Sequence, residues 1–168
     1  MLANDVKDWN LFIDGLSYSG RVEELSLPTL TRKTEEYFAG GMLAPVELDM
    51  GMEKLEMDFT LREFNTEVLG YFGNPAIGGI NMRCSAVTFN ESSVNTDSVE
   101  VVFRGRWRSL EQGTLKRGES STLKVGVALS YYKYSQNGTP IIEIDPINYI
   151  EIINGVDRAK DRRKALGL

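Results

Sequence analysis

The sequence predicts a mainly β fold, a small antiparallel β-barrel or sandwich with one short flanking α-helix. Residues 53–62, 98–110 and 122–134 alternate apolar and polar side chains with the period of two that strands show. Asp14-Gly15 and Asn137-Gly138 are turn dipeptides typical of two-residue hairpins. About eight short strands and one or two short helices account for the whole pattern.

The N-terminal half opens with residues 9–19, which predict two short strands around Asp14-Gly15. A further strand is expected from Val22 to Leu27, where Pro28 ends it. In residues 53–62 the alternation indicates a half-buried strand. Its predicted inward side chains are Leu55, Met57, Phe59 and Leu61, and its outward ones are Lys54, Glu56, Asp58, Thr60 and Arg62.

One short helix is predicted over residues 64–72, with Asn65 as its N-cap. Asn74-Pro75 and Gly78-Gly79 then end it. The expected apolar stripe consists of Phe64, Val68, Leu69 and Phe72.

The C-terminal half predicts strands over residues 80–89, 98–110 and 122–134, and a return strand from Ile141 to Ile144. A second Asn-Gly turn at residues 154–155 follows the apolar run from Ile147 to Ile153. The expected inward side chains are Val99, Val101, Phe103, Gly105 and Trp107 in one strand, and Leu123, Val125, Val127, Leu129 and Tyr131 in the next.

Residues 31–52 form the least ordinary segment. Residues 31–36 carry no apolar side chain, whereas residues 37–52 are rich in Tyr, Phe, Leu, Val and Met, broken by Gly and Pro, with no clear period. Either this segment folds over its own core, or it projects and exposes apolar groups. Projection is favoured, and such a surface usually marks an interface with another protein.

Composition argues against most enzyme chemistry. The 168 residues include no His and one Cys, which removes His-based nucleophilic catalysis and Cys/His zinc sites. Carboxylate- or Lys-based mechanisms remain as formal alternatives, with Glu35-Glu36 and Glu143/Asp145 as candidate pairs, but no recognisable substrate site surrounds them. Cys84 is expected to be a buried apolar residue. The sequence therefore predicts no enzyme, no catalytic residues, no cofactor and no metal.

Two further motifs have ordinary explanations. Residues 113–120 approximate a phosphate-binding loop, but Glu119 stands where the motif needs Lys, and strands are expected on both sides. Arg104, Arg106 and Arg108 lie two residues apart on one strand face and could contact phosphates. Pairing with Glu56 and Asp58, or with similar acids of a neighbouring strand or subunit, is the favoured interpretation of this row.

The chain carries a formal net charge of −5, so no overall basic footprint for nucleic acid is present. No apolar run is long enough for a membrane span, and the first ten residues do not resemble a secretory signal. Residues 157–168 are instead basic, with five basic and two acidic side chains. They predict a short C-terminal helix that faces solvent or a partner, with nucleic acid or lipid as less favoured contacts.

An ordered set of segments resembles the tail tube protein family of contractile-tailed bacteriophages and of the related R-type bacteriocins. These segments are WNLFIDGLSYSG, LPTLTRKTEEYFAGGM, PVELDMGMEKLE, VVFRGR, SYYKY with GTPIIEIDPINYIEIINGVDR, and the closing Arg163 with LGL. Together they cover most of the chain in order, although residues 74–98 match no pattern of the family.

The resemblance implies a single tail tube domain over residues 1–168 that assembles into sixfold rings, which stack into a hollow tube inside a contractile sheath. It implies partners that include further copies of the chain, the tail sheath protein, baseplate and tail-terminator proteins, and transiently passing DNA. The tube would belong to a virion made in the host cytoplasm and would conduct the genome through the target cell envelope. A tube of a DNA-free R-type bacteriocin or related injection device is the alternative.

For individual residues, the resemblance implies that residues 31–52 are a projecting loop that grips adjacent subunits and the next ring. Its expected contact residues are Tyr37, Phe38, Met42, Leu43, Pro45, Val46, Met50 and Met52. Glu56 and Asp58 are the expected lumen-facing acids, because negative walls repel phosphate. The helix near residues 64–72 and the basic C-terminal segment are candidates for contact with the sheath.

Two other classes of protein remain open at this stage. An enzyme would need several perturbed carboxylates in a concave site. A monomeric barrel for a small ligand would enclose that ligand and would not assemble.

Overall fold

The computed structural model describes residues 2–168, which form twelve β-strands and two short α-helices. The strands are β1 (Asp5–Ile13), β2 (Leu16–Ser17), β3 (Val22–Ser26), β4 (Arg32–Tyr37), β5 (Val46–Met52), β6 (Glu56–Leu61), β7 (Ile80–Asn90), β8 (Asn95–Glu111), β9 (Leu123–Gln136), β10 (Thr139–Asp145), β11 (Ile150–Ile153) and β12 (Val156–Asp157). The helices are α1 (Thr66–Gly70) and α2 (Lys160–Ala165).

Ten strands form one antiparallel sheet, whose main path runs in the order β12-β11-β10-β9-β8-β7-β1-β2. Strands β3 and β6 pair with each other, and β6 joins the sheet through β9. Strands β4 and β5 pair only with each other, in a separate two-stranded sheet. The mainly β, antiparallel class predicted from the sequence is therefore confirmed.

The large sheet folds over because β9 changes partners along its length. Residues 123–128 of β9 pair with β6, and residues 132–136 pair with β10, while β8 runs along the other edge of the strand. The strands of the main path do not close into a ring, and its two outermost strands have only two residues each. Very short edge strands offer little backbone for unwanted pairing.

The core lies between the folded parts of this sheet, and most of the predicted inward side chains are there. Phe59, Leu61 and Phe103 are fully buried, and Trp107 packs edge-on against Phe59 with ring centroids 5.7 Å apart. The alternation of β6 is confirmed, since its burial changes strictly from residue to residue. The number of strands is higher than predicted, because β4 and β5 lie in the segment that was expected to be a loop, and β11 and β12 are too short to show a period.

The inward orientation predicted for Tyr131 is wrong. The register between β8 and β9 shifts at Ser130, since Arg104 pairs with Tyr131 while the next residue, Gly105, pairs with Leu129. This bulge turns Tyr131 to the outer face and brings Tyr132 into the core, where it is buried. A single inserted residue reverses every later side chain of a strand, and no residue type marks this one in the sequence.

The predicted helix exists but is shorter than expected. Asn65 caps α1, because its side-chain oxygen accepts hydrogen bonds from the N–H groups of Glu67 and Val68 at 3.0 and 3.1 Å. Phe64 and Phe72 lie outside the helix and are exposed. The four-residue apolar stripe was therefore a wrong prediction, and Val68 is the residue of α1 that is fully buried.

The turns and the C-terminus follow the sequence more closely. Asp14-Gly15, Asn137-Gly138 and Asn154-Gly155 all have positive φ at both residues, as two-residue hairpin turns of this kind require. The basic segment forms α2, and Arg163 ties it to the sheet through Asp157 at 2.7 Å. Within residues 2–168, no helix is long and apolar enough to cross a membrane.

Candidate functional site

The most unusual surface belongs to residues 32–52, named here the arm. Its two strands, β4 and β5, pair with one another and leave the large sheet through residues 31 and 53. At that point the N–H of Glu53 donates to the carbonyl of Thr31 at 2.9 Å. An isolated two-stranded hairpin is marginally stable in water, so a surface that covers it would add to its stability.

One face of the arm is mainly apolar. In the register of β4 and β5, Tyr37 lies opposite Val46, and β5 continues this face through Leu48 and Met50, although the exposed Glu35 of β4 lies across from Leu48. Each of the four apolar side chains is between 44% and 52% exposed. Full burial of such a side chain contributes roughly 1.5–3 kcal/mol, so the face would bind strongly to a complementary apolar surface.

The opposite face of the arm is acidic. Glu36 lies directly across from Glu47, and Thr34 lies across from Asp49. Like charges opposite each other on antiparallel strands repel, so this pairing destabilises the free arm. Asp49 forms an ion pair with Arg32, which lies at the base of the arm, at 3.6 Å.

The tip of the arm connects the two strands over residues 38–45. Phe38 is 63% exposed, and Leu43 is completely exposed. Met42 instead turns back, because its sulfur accepts a hydrogen bond from the N–H of Ala39 at 3.3 Å. The tip therefore presents two large apolar side chains to solvent, and a partner that covers them would remove both from water.

The structure divides the predicted contact residues into three groups. Met42 is half-buried within the tip, and Met52 is half-buried where the arm meets the domain, packed against the core. The other six predicted residues are exposed: Tyr37, Phe38, Leu43, Pro45, Val46 and Met50.

Leu48 shares the apolar face but was not predicted. The prediction that residues 37–52 lack a period was wrong for β5, whose residues Val46, Leu48 and Met50 alternate with Glu47 and Asp49. This period of two is the signal that would have identified Leu48. Three of the predicted contact residues, Val46, Met50 and Met52, therefore lie on β5.

A charge cluster fixes the base of the arm to the C-terminal region. The Glu151 side chain is only 9% exposed and forms ion pairs with Arg32 of the arm and with Arg162 of α2, the latter at 3.7 Å. A cavity of about 220 Å³ opens beside this cluster. Its lining combines apolar side chains, such as Met52 and Ile150, with two cations and two acids: Arg32, Arg162, Asp145 and Glu151.

Glu56 and Asp58 lie on the face of β6 that points away from the core, beside cations. Glu56 pairs with Lys54 at 2.6 Å and with Arg108, while Asp58 lies 3.4 Å from Lys124. The hydrogen bond from Lys54, together with the charge of Arg108, lowers the pKa of Glu56. This surface therefore carries ion pairs in place of unbalanced acids.

The arginine row of β8 does not form a phosphate site in this conformation. Arg108 pairs with Glu56, as favoured from the sequence, and Arg104 stacks 4.2 Å from the ring centroid of Tyr131 and lies 4.0 Å from Asp145. Arg106 is exposed. Asp58, the other predicted partner of the row, pairs with Lys124 of β9.

The remaining candidates for chemistry have structural roles. Glu143 accepts a hydrogen bond from the Tyr131 hydroxyl at 2.9 Å. Residues 113–120 lie in a loop between β8 and β9, where Lys116 pairs with Glu119 at 3.6 Å. Burial raises the pKa of the Cys84 thiol to about 11, which keeps it protonated and unreactive. Across residues 2–168, no cluster of three or more Cys, Asp or Glu side chains could hold a metal ion.

An exposed amphipathic arm on a small open β-sheet is typical of the class of proteins that assemble through such a surface. The profile of the family described as phage tail tube protein FII matches residues 3–167. The chain belongs to this family, which confirms the resemblance seen in the sequence.

Two curated relatives carry the same description. The chain is 35% identical to the tail tube protein of Escherichia phage P2 over 170 residues, which cover 99% of each chain. It is 31% identical to the major tail tube protein of Serratia phage KSP20, over 95% of this chain and 94% of that protein. The chain is thus a structural tail tube protein by family.

Solved structures with a similar fold come from an extracellular contractile injection system. A chain of its PVC sheath-tube complex in the extended state matches 76% of this chain and 87% of that chain, with a TM-score of 0.58 and 9% identity. A chain of its sheath/tube terminator matches 80% of this chain and 98% of that chain, with a TM-score of 0.60 and 10% identity. At such low identity the likeness describes the fold.

Proposed function

We propose that this chain is the subunit of a contractile tail tube in which six copies form a ring and rings stack into a hollow cylinder. The observation that carries the proposal is the arm, whose apolar face and tip are exposed in a chain of the tail tube family. Contacts between unlike surfaces of identical subunits close into rings or extend without limit, which is the geometry a tube requires.

The arm, within the loop predicted over residues 31–52, is the proposed contact between subunits. The proposed domain is single and spans residues 1–168. The apolar face of the arm and the tip residues Phe38 and Leu43 would be buried by adjacent copies. Because six of the eight residues expected from the sequence are exposed, the free chain leaves them available for this role.

The proposed partners outside the ring are a sheath protein, a baseplate and a tail terminator. The fold matches chains in a sheath-tube complex and in a sheath/tube terminator. The exposed Phe64 and Phe72, at the two ends of α1, are the proposed contact with the sheath. The proposed location is the tail of a virion assembled in the host cytoplasm.

Genome passage is proposed in preference to a DNA-free device, because both curated relatives are phage proteins. Glu56 and Asp58 are the proposed lumen residues. Since each is paired with Lys or Arg, their surface would hold DNA only weakly, and its cations are not free to bind phosphate. Phage particles with Asp58→Lys should assemble normally and eject DNA more slowly, whereas unchanged ejection contradicts this assignment.

Assembly of the purified chain tests the proposal directly. Light scattering and electron microscopy should show rings or tubes as protein concentration rises, and a strict monomer at every concentration contradicts the proposal. A variant in which Asn-Gly replaces residues 38–45 should keep the hairpin, because Asn-Gly forms the tightest turn between two strands, but should lose polymerisation. A control variant that lacks residues 114–118, in the exposed loop between β8 and β9, should still polymerise.

A further inference from the structure

Two turns of this chain carry the same dipeptide in the same backbone conformation. Asn137-Gly138 joins β9 to β10, and Asn154-Gly155 joins β11 to β12. The φ values are 48° and 78° in the first turn, and 50° and 77° in the second. In each turn the Asn N–H donates to a backbone carbonyl at 2.8 Å, and all four residues are exposed. The two turns are therefore a matched pair within one molecule.

The two turns differ in the contacts of the Asn side chain. Oδ1 of Asn137 accepts a hydrogen bond from the N–H of Ser98 at 2.9 Å, and Nδ2 of Asn137 donates to Asp97 at 2.9 Å. Within residues 2–168, Asn154 forms a hydrogen bond through its backbone N–H, to the carbonyl of Ile141, but none through its side-chain amide. Strand β8 therefore holds the amide of Asn137 in place, whereas the amide of Asn154 can rotate.

An Asn with an unrestrained side chain before a Gly can react with its own backbone. Gly has no Cβ, so its backbone nitrogen can approach the side-chain amide carbon of the preceding Asn. Attack forms a bond between this nitrogen and this carbon and breaks the C–NH2 bond, and ammonia leaves with the proton of the Gly N–H. Water then opens the resulting succinimide ring at one of its two carbonyls, which gives either Asp or isoaspartate. The reaction consumes water and needs no oxidant or reductant.

We propose that Asn154 is a site of spontaneous deamidation and isomerisation in this protein, and that the fold protects Asn137 from the same reaction. Attack requires the side-chain amide to turn towards the nitrogen of the next residue, which for Asn137 breaks both of its hydrogen bonds. Two hydrogen bonds of ordinary strength slow the reaction on the order of tenfold. This inference does not depend on the proposed function, since both turns belong to the single chain.

Isoaspartate at position 154 changes the region that holds α2. Its main chain passes through the former side chain, so the turn gains an extra backbone atom and no longer fits the tight pairing of β11 with β12. Asp157 of β12 anchors α2, because its carboxylate accepts a hydrogen bond from the N–H of Ala159 at 3.0 Å and pairs with Arg163 at 2.7 Å. Isomerisation should therefore loosen α2 and open its basic residues to trypsin.

Mass spectrometry of the incubated protein tests the assignment. After incubation at mildly alkaline pH, a Glu-specific protease separates the two sites into residues 120–143 and residues 152–168, each of which contains a single Asn. The replacement of NH2 by OH should appear in residues 152–168 about tenfold faster than in residues 120–143. In guanidinium chloride the two rates should converge, because the unfolded chain restrains neither amide. Equal rates in the folded chain, or a difference of that size that persists in the unfolded chain, overturn the inference.

Asp97→Ala tests why Asn137 is protected. The substitution removes the acceptor of the Asn137 amide and leaves the turn sequence unchanged, so deamidation at residue 137 should become severalfold faster while the rate at residue 154 stays the same. Circular dichroism should show the same β content as in the wild type. An unchanged rate at residue 137 in this variant contradicts the protection by hydrogen bonding and overturns the inference.

Two variants at residue 154 test the consequence for α2. Asn154→Gly tolerates the positive φ and has no side-chain amide, so its resistance to trypsin should not change with incubation. Freshly purified Asn154→Asp carries the charge of the product on a backbone of normal length and should resist trypsin like the fresh wild type. The incubated wild type should be cleaved faster at the exposed Arg162 and Lys164, in proportion to its isoaspartate content. An equal loss of resistance in incubated Asn154→Gly overturns the link between residue 154 and α2.

Discussion

The indole N–H of Trp107 donates a buried hydrogen bond of 2.8 Å to the backbone carbonyl of Val68, which ties α1 to the C-terminal half of β8. The ring of Trp107 also packs edge-on against Tyr71, with centroids 6.0 Å apart. A helix of five residues has few internal hydrogen bonds, so its position depends on such tertiary contacts.

Trp107→Phe should therefore destabilise the domain and loosen α1. The substitution leaves the Val68 carbonyl buried without its donor, which costs about 1–3 kcal/mol in addition to the lost packing. Chemical denaturation measures this cost. Trp9→Phe is the matched control, because Trp9 is half-buried and its indole N–H makes no hydrogen bond found in residues 2–168. Equal effects of the two substitutions would contradict the role assigned to the bond.

Val94 offers a stabilising substitution. It lies in the turn between β7 and β8 with φ of 56°, a conformation that is unfavourable for a β-branched residue, and it is 75% exposed. Val94→Asn should raise the free energy of unfolding by about 1 kcal/mol, since Asn tolerates left-handed backbone far better. Val87→Asn, at an exposed position within β7, should instead lower it, because Val is favoured in strands. A loss of stability with Val94→Asn would show that the turn is not strained.

Gly79 is predicted to be irreplaceable, whereas its neighbour Gly78 is not. A Cβ atom at Gly79 would lie 1.9 Å from the carbonyl oxygen of Gly105, and its φ is +62°, while a Cβ at Gly78 meets nothing within 4 Å. Gly79→Ala should lower the free energy of unfolding by roughly 1–3 kcal/mol or more, because the backbone at residue 79 and the backbone at Gly105 must move apart. Gly78→Ala should leave the unfolding free energy nearly unchanged, and similar values for the two variants would contradict this account.

The large sheet was predictable because its strands follow simple periods. The core residues of β6, such as Phe59 and Leu61, alternate strictly with polar residues, and the Asn-Gly turns fix the hairpins that join β9 to β10 and β11 to β12. The bulge at Ser130 was not predictable, since an inserted residue leaves the composition of a strand unchanged. This explains why Tyr131 was assigned to the wrong face.

The arm was predictable as a segment but not as a structure. Its excess of apolar residues stands out in the sequence, whereas its separation into an apolar and an acidic face depends on the register between β4 and β5. That register places Glu36 opposite Glu47, a pairing that local sequence would disfavour. The cavity beside Glu151 combines residues from β5, β11 and α2, so only the tertiary fold could identify it.

High pH should weaken the domain through Tyr131. Burial, together with the hydrogen bond to Glu143, raises the pKa of Tyr131 to about 12, above the value near 10 that tyrosine has in the unfolded chain. The folded state then holds a proton that the unfolded state releases. This contribution to stability is complete below pH 10 and is lost as the pH rises through 12.

Tyr131→Phe removes this titration and keeps the ring beneath Arg104, whose guanidinium lies 4.2 Å from the ring centroid. The wild-type free energy of unfolding, measured by denaturant titration between pH 9 and pH 12, should therefore fall more steeply than that of the variant. Burial, together with a hydrogen bond to Glu67, also raises the pKa of Tyr18 to about 12, so Tyr18→Phe should flatten the profile in the same window. Parallel profiles for the wild type and Tyr131→Phe would mean that the Tyr131 hydroxyl is equally free to ionise in the folded and unfolded chains.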